Sequence, residues 1–360
     1  MKIEETNDTV QETSAHSGDS LYLELKRRVR DAGLLKQQPL YYGIKIPLTF
    51  ALFGVGWAAL AIEDSLWFRI FDVIFLAFMT VQMGYLGHDA GHQQIFRSSR
   101  RNDLLGLLNG FSLGSSYSWW VDTHNRHHGK PNQTSFDPAI DYLVLAFSEE
   151  EAARKKGVMR WIVKHQAILF IPLLMLYPIS MRVDSFRYLL REKNKYRTIE
   201  ILTLACYFPL YFLFLYFSLG IWQCLLFAVI QQSVLGLYLS SVFVTNHIGM
   251  PLLGPEEECD FVRHQVMTSR NVKGPRIVDY LFGGLNYQIE HHLFPRMPRN
   301  RLRCASRIVQ QFLQEKSIPY CEAEILHSYR EIFSYLHRIG KSLKNADAAK
   351  PDLTTTAPLM

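Results

Sequence analysis

Cysteine is scarce in this 360-residue chain: there are five, at positions 206, 224, 259, 304 and 321, with no CxxC spacing among them. That pattern excludes a disulfide framework and an iron–sulfur ligand run, and leaves reduced structural thiols. No GxGxxG opens a βαβ unit, so no flavin or nicotinamide site is expected. The first 20 residues, MKIEETNDTVQETSAHSGDS, hold no apolar run and are expected to be a disordered polar leader, not a signal peptide. No internal repeat is evident. Acidic residues are outnumbered, 33 against 39 basic, for a formal charge of +6. Yet no basic run is interleaved with exposed aromatics, so nucleic acid is a poor partner for that charge.

Long apolar runs are present instead. Four approach the roughly 20 residues that a bilayer core demands: about 44–62, 66–87, 199–219 and 222–244. The last two adjoin almost without a loop and must form a tight hairpin. Two further apolar stretches, 104–121 and 161–181, are shorter or broken by Lys164, His165 and prolines, and are expected to be interfacial or re-entrant. Basic residues precede the first span (Lys26, Arg27, Arg28, Arg30, Lys36), follow the second (Arg97, Arg100, Arg101), precede the third (Arg182, Arg187, Arg191) and follow the fourth (Arg263, Arg270). All these clusters fall on one side, which the positive-inside rule makes the cytoplasmic one. The expected fold is an all-α, multi-pass membrane protein with about four transmembrane helices in two hairpins, interfacial helices and a cytosolic cap. A single domain over 21–341 is followed by a loose polar tail, 342–360.

Seven of the 13 histidines fall into three short groups: HDAGH (His88, His92), HNRHH (His124, His127, His128) and QIEHH (His291, His292, after Gln288). On a helix, residues three and four apart share a face, so each group aims its imidazoles at one point. The first group ends span two, the second lies in the loop beyond it, and the third follows span four, all on the basic side. Asn246 and His247 close span four at the same level. Clustered buried imidazoles without a metal would leave several polar atoms unpaired at a few kcal/mol each. Eight histidines are too many for one zinc, so two metal ions are expected. Imidazole alone does not choose among iron, copper, zinc and nickel. Two irons near a membrane would suit activation of O2 against an unreactive C–H bond. Asp89, Glu290 and Asn246 are expected to support the ligands, the two carboxylates by accepting imidazole N–H.

HDAGH, HNRHH and NYQIEHHLFP, in that order around two hairpins, resemble the three histidine boxes of the integral-membrane fatty acid desaturases. The flanking FGGLNYQIEHHLFPRMPR (282–299) and QVMTSRNV (265–272) are similar to the branch containing front-end desaturases and their bacterial acyl-CoA or acyl-lipid relatives. The resemblance covers roughly 40–315. It implies a di-iron enzyme that inserts a double bond into the acyl chain of a lipid or thioester, with O2 and an external electron donor. It makes His88, His92, His124, His127, His128, His291 and His292 metal ligands, with His247 in the region of an additional one. Gln288 stands where many members carry a histidine, as a ligand or an orienting group. Implied partners are the bilayer, a fatty acyl substrate, and a ferredoxin or cytochrome-type carrier with its reductase. The HPGG motif of a fused cytochrome b5 domain is missing. Tyr117, Trp119 and Trp120 are expected to line an acyl tunnel or anchor at the interface. Alternatives are a di-iron hydroxylase or acetylenase and, from other classes, a metal transporter or an intramembrane zinc protease.

Overall fold

The computed structural model describes residues 20–348, so the expected leader before residue 20 and the end of the expected tail lie outside the described residues. The first helix, α1, covers 20–31. Then α2 (Pro39–Ile62) and α3 (Leu66–Gly91) form the first long hairpin, and α4 (Ser99–Leu113) and α5 (Tyr117–Gly129) follow it. Four shorter helices come next: α6 (Glu149–Arg154), α7 (Gly157–Lys164), α8 (Gln166–Met175) and α9 (Tyr177–Arg191). The second long hairpin is α10 (Arg197–Leu219) and α11 (Ile221–His247). The chain ends with α12 (Phe261–Met267), α13 (Arg276–Leu281), α14 (Gln288–Leu293), α15 (Leu302–Glu315) and α16 (Ile325–Ala348). The one sheet among the described residues is a parallel pair, β1 (Asn271–Lys273) with β2 (Glu322–Glu324).

Among the described residues four helices are long and apolar enough to span a bilayer: α2, α3, α10 and α11. Each begins or ends a few residues beyond the expected limits, because the helical hydrogen-bond ladder continues outside the apolar run. At 1.5 Å per residue the 26 residues of α3 reach about 39 Å, more than a hydrocarbon core of about 30 Å. That surplus carries His88 to the last turn of the same rigid helix, with His92 at its C-cap. Gly220 joins α10 to α11 with φ 75°, a backbone angle that glycine tolerates and that closes the hairpin in one residue. The central helices are α3 and α11, with 61% and 44% of their apolar windows buried, against 17% for α2 and 11% for α10. Histidines are therefore mounted on the two best-packed spans.

The broken stretch 161–181 is indeed bent: α7 and α8 meet at 106° across His165, with Pro172 inside α8. The stretch 104–121 is split between α4 and α5 at Gly114, in left-handed conformation. Over the ends of the spans lies the cap. There Leu25 and Val29 of α1 pack against Ile289 and Leu293 of α14 and Leu302, Val309 and Phe312 of α15. The amphipathic α16 lays Ile332 and Leu336 against Phe170 and Leu174 of α8. It runs through residue 342, where the loose tail was expected to start, to Ala348, and Asp347 pairs with Arg160 and Lys164 of α7. The heptad-like apolar stripe of α16 has a surface to cover, so the polar composition of its last turns does not loosen it.

Candidate metal centre

The second histidine group is not in a loop. Residues 117–129 form α5, capped by the Ser116 side chain accepting from the Trp119 N–H, and its three histidines stand on a rigid helix. The helical spacing does not aim all of them at one point. His124 joins His88, His92 and His291, while His127 joins His247 and His292; within each set one ring nitrogen per residue lies within 4.8 Å of the others. His128 stands between the sets, its ring 4.6 Å from that of His92 and stacked at 4.2 Å on His292. Adjacent positions on α5 are turned about 100° apart, which is why neighbours in sequence serve different sets. Likewise His291 and His292 part company at the end of α14.

The three rings of the smaller set are oriented by the protein. His127 donates Nδ1–H to Asp137 at 2.9 Å, His292 to the Gln265 amide oxygen at 2.8 Å, and His247 to the Thr268 carbonyl at 3.0 Å. With Nδ1 as donor to three acceptors, each ring turns its Nε2 lone pair inward. Asp137 is itself fixed by the N–H groups of Asn132 and Ala139, and Gln265 donates to the His128 carbonyl. Burial raises the Asp137 carboxyl, but His127 and the two N–H groups outweigh it and hold it below the ordinary range. Gln288 reaches this set, with its amide 3.0 Å from His247 Nε2 and its oxygen accepting from Asn246. Asn246 thus touches Gln288 and the Leu285 carbonyl rather than an imidazole.

The larger set is held differently. His88 Nδ1 comes only to 3.5 Å from Asp89, whose carboxylate is engaged by Arg299 at 2.5 Å and by Tyr42 at 2.9 Å. Trp120 stacks on His124 at 4.4 Å. Glu290 does not meet an imidazole at all: Asn271 and Tyr320 donate to it, and burial pushes its carboxyl up to about 7. The expectation for Glu290 fails because its side of the six-residue α14 faces β1 and the cap instead of the histidines. Arg299, which follows the third box in a basic run, is likewise buried against Asp89.

Do these residues fit metal ions? Buried without any hydrogen-bond partner are Nε2 of His88, His92 and His292, Nδ1 of His128, and both ring nitrogens of His291. The Nε2 atoms of His124 and His128 lie 3.1 Å apart. Burial first, then the neighbouring imidazoles, hold His92, His124, His128, His291 and His292 well below the usual histidine range, so all are neutral. Neutral rings with converging, unpaired lone pairs are what two metal ions need.

A cavity of about 1170 Å³ opens from this layer. His88, His124, His127, His247 and Gln288 face it at one end, and Trp119, Leu173, Leu239, Phe243 and Val244 form part of an apolar wall. Tyr117 and Trp120 line it as well. Its rim carries Arg126, Arg187 and Arg191 with Asp122, Asp184 and Glu192. Thus one cavity is lined by the histidines, by apolar side chains and by charged residues.

Residues 36–323 match the family described as Fatty acid desaturase. The chain is 31% identical over 333 residues to a Delta(8)-fatty-acid desaturase of Euglena gracilis, covering 89% of this chain and 78% of that one. It is 29% identical over 338 residues to the Delta(6)-fatty-acid desaturase fat-3 of Caenorhabditis elegans, covering 89% and 75%. An Acyl-lipid (9-3)-desaturase of Physcomitrium patens is 29% identical over 344 residues, covering 90% and 62%. The chain belongs to the fatty acid desaturase family and is a multi-pass membrane oxidoreductase of lipid metabolism.

Proposed function

We propose that the chain inserts a double bond into a fatty acyl chain of a lipid or thioester, using O2, two iron ions and electrons from a separate reductase with a ferredoxin or cytochrome-type carrier. The carrying observation is the pair of imidazole sets with unpaired buried nitrogens beside a cavity that apolar side chains also line. His88, His92, His124 and His291 would hold one ion and His127, His247 and His292 the other, with His128 beside both and Gln288 completing the smaller set. Iron bound there supplies the activation of O2 needed to break two unreactive C–H bonds. In the net reaction two vicinal methylenes lose one hydrogen each, and O2 with two electrons and two protons leaves as two waters.

The chain's own residues do the rest. The apolar wall excludes water and, since methylenes offer no polar handle, selects the reacting carbons by shape. Asp137, Gln265 and the Thr268 carbonyl fix imidazole tautomers. Trp120 packs His124 in place. The charged rim receives the polar end of the substrate. The positive clusters support a cytoplasmic orientation for this face, where reductants are available. Expression in a host lacking the activity, with fatty acid analysis, tests the reading: a new double bond is expected, and a hydroxylated product or none would overturn it. Two irons per chain favour this reading over a protease with one zinc or a transporter with transient metal.

A further inference from the structure

A second cavity, about 330 Å³, lies on another side of the cap, where α2, α13 and the segment after the third box meet. It shares no lining residue with the large cavity. Four cations line it, Lys45, Arg276, Arg299 and Arg303, with Asp279 as the sole carboxylate. Arg303 is offset by Asp279 at 3.2 Å, and Arg299 by Asp89 from behind. Lys45 and Arg276 make no ion pair among the described residues; Lys45 instead meets the Gln82 amide oxygen at 3.2 Å and sits 4.5 Å over the Tyr280 ring. The cavity therefore keeps an excess of two positive charges. Arg299 lines the same hollow, with its Nε engaged by Asp89.

Placement narrows the ligand. Lys45 is on a membrane span, less than two turns from its basic-side end, and Gln82 is on the neighbouring span. Exposed apolar or aromatic side chains, Leu40, Ile44, Ile277 and Tyr280, neighbour its lining residues in sequence, beside the exposed lining residues Arg276, Asn300 and Cys304. A cationic hollow near the end of a membrane span matches the layer of lipid phosphates.

We propose that this cavity is a phosphate-binding site, separate from the substrate channel, which takes the phosphate of a membrane lipid headgroup or of a soluble phosphorylated molecule. Lys45 and Arg276 supply the compensating charge. The inference does not depend on the reaction proposed above.

Purified full-length protein in neutral detergent is titrated with short-chain phosphatidylglycerol, with the matching diacylglycerol, and with inorganic phosphate. Binding is read by native mass spectrometry and by the rise in melting temperature. Saturable binding of phosphatidylglycerol but not diacylglycerol is expected, weakened about tenfold or more in Lys45→Gln/Arg276→Gln, as befits the loss of two cations near a headgroup layer. Saturable binding of inorganic phosphate with the same loss assigns the site to a soluble phosphate. Should the double variant fail to fold, Arg276→Gln alone serves, because that exposed side chain makes no ion pair; it should weaken binding several-fold. No saturable binding of either phosphate probe, equal binding of diacylglycerol, or wild-type affinity in the folded variants would overturn the proposal.

Discussion

In the set formed by His127, His247 and His292, every ring donates Nδ1–H to a fixed acceptor, whereas in the set formed by His88, His92, His124 and His291 the rings lean chiefly on one another. His291 has no hydrogen bond at either nitrogen, and His88 reaches Asp89 only at 3.5 Å. The first arrangement is built from the chain upward, each ring held by an acceptor that the protein itself fixes. The second is three buried imidazoles and the half-buried His124, on α3 and its C-cap, α5 and α14, whose alignment depends on helix packing and on what the rings jointly hold. The difference teaches that a metal centre with near-symmetric ligands need not have symmetric support. It also locates where small changes should matter.

The largest effects belong to the ligands themselves. His292→Ala and His291→Ala should each lower product formation by at least about a hundredfold, more than losses typical of outer-shell changes, while the protein remains membrane-inserted. Product analysis beside membrane fractionation checks both, and near-normal turnover in either would break the assignment. Next is Asp137→Asn, which keeps the shape but weakens the acceptor for His127. It should lower metal affinity or activity about 10- to 100-fold, seen as metal lost on dialysis.

Asp89→Asn sharpens the contrast, because Asp89 mainly holds Arg299 and Tyr42. Leaving that buried guanidinium without its partner should destabilise the protein by about 3–5 kcal/mol, so melting temperature should fall more than metal content at saturating iron. Were Asp89→Asn to strip metal as readily as Asp137→Asn, the two sets would be supported alike. Gln288→Ala should have a smaller effect still: a several-fold drop in turnover with partial loss of metal, since the amide lies 3.0 Å from His247 Nε2 but imidazoles remain the main donors. Wild-type turnover would make Gln288 a spectator. Chelation is read on the folded state and not on turnover. Removing metal held at about 100 times its dissociation constant should forfeit about 2.7 kcal/mol, a modest fall in melting temperature that added iron restores.

The spans and the histidine groups were legible because both are local patterns. Some 20 apolar residues suffice to identify a span, and HDAGH, HNRHH and QIEHH announce themselves in five residues each. What was not legible depends on contacts distant in the chain. Asp137 lies ten residues beyond His127 in a turn, where its role as cap of the short helix at Pro138–Ile140 was the available signal. Gln265 and Thr268 sit 27 and 21 residues from the histidines they orient; both fall in QVMTSRNV, whose resemblance to the family did not say which imidazoles they meet. Arg299 meets Asp89 across 210 residues. The split of HNRHH between two sets was implicit in the 100° helical step, but which rings pair with which needed the crossing of α3, α5 and α14. Glu290 was misread for the same reason: adjacency to His291 says nothing of what covers its own side of the helix.

The most direct test is the number of irons per chain in protein purified without chelators, measured beside His247→Ala. About two per wild-type chain are expected, two separate imidazole sets being too many ligands for one ion. In His247→Ala the count should fall toward one, the larger set keeping its metal. One metal in both proteins, or equal loss from both sets in the variant, would contradict a two-ion centre with independently supported halves.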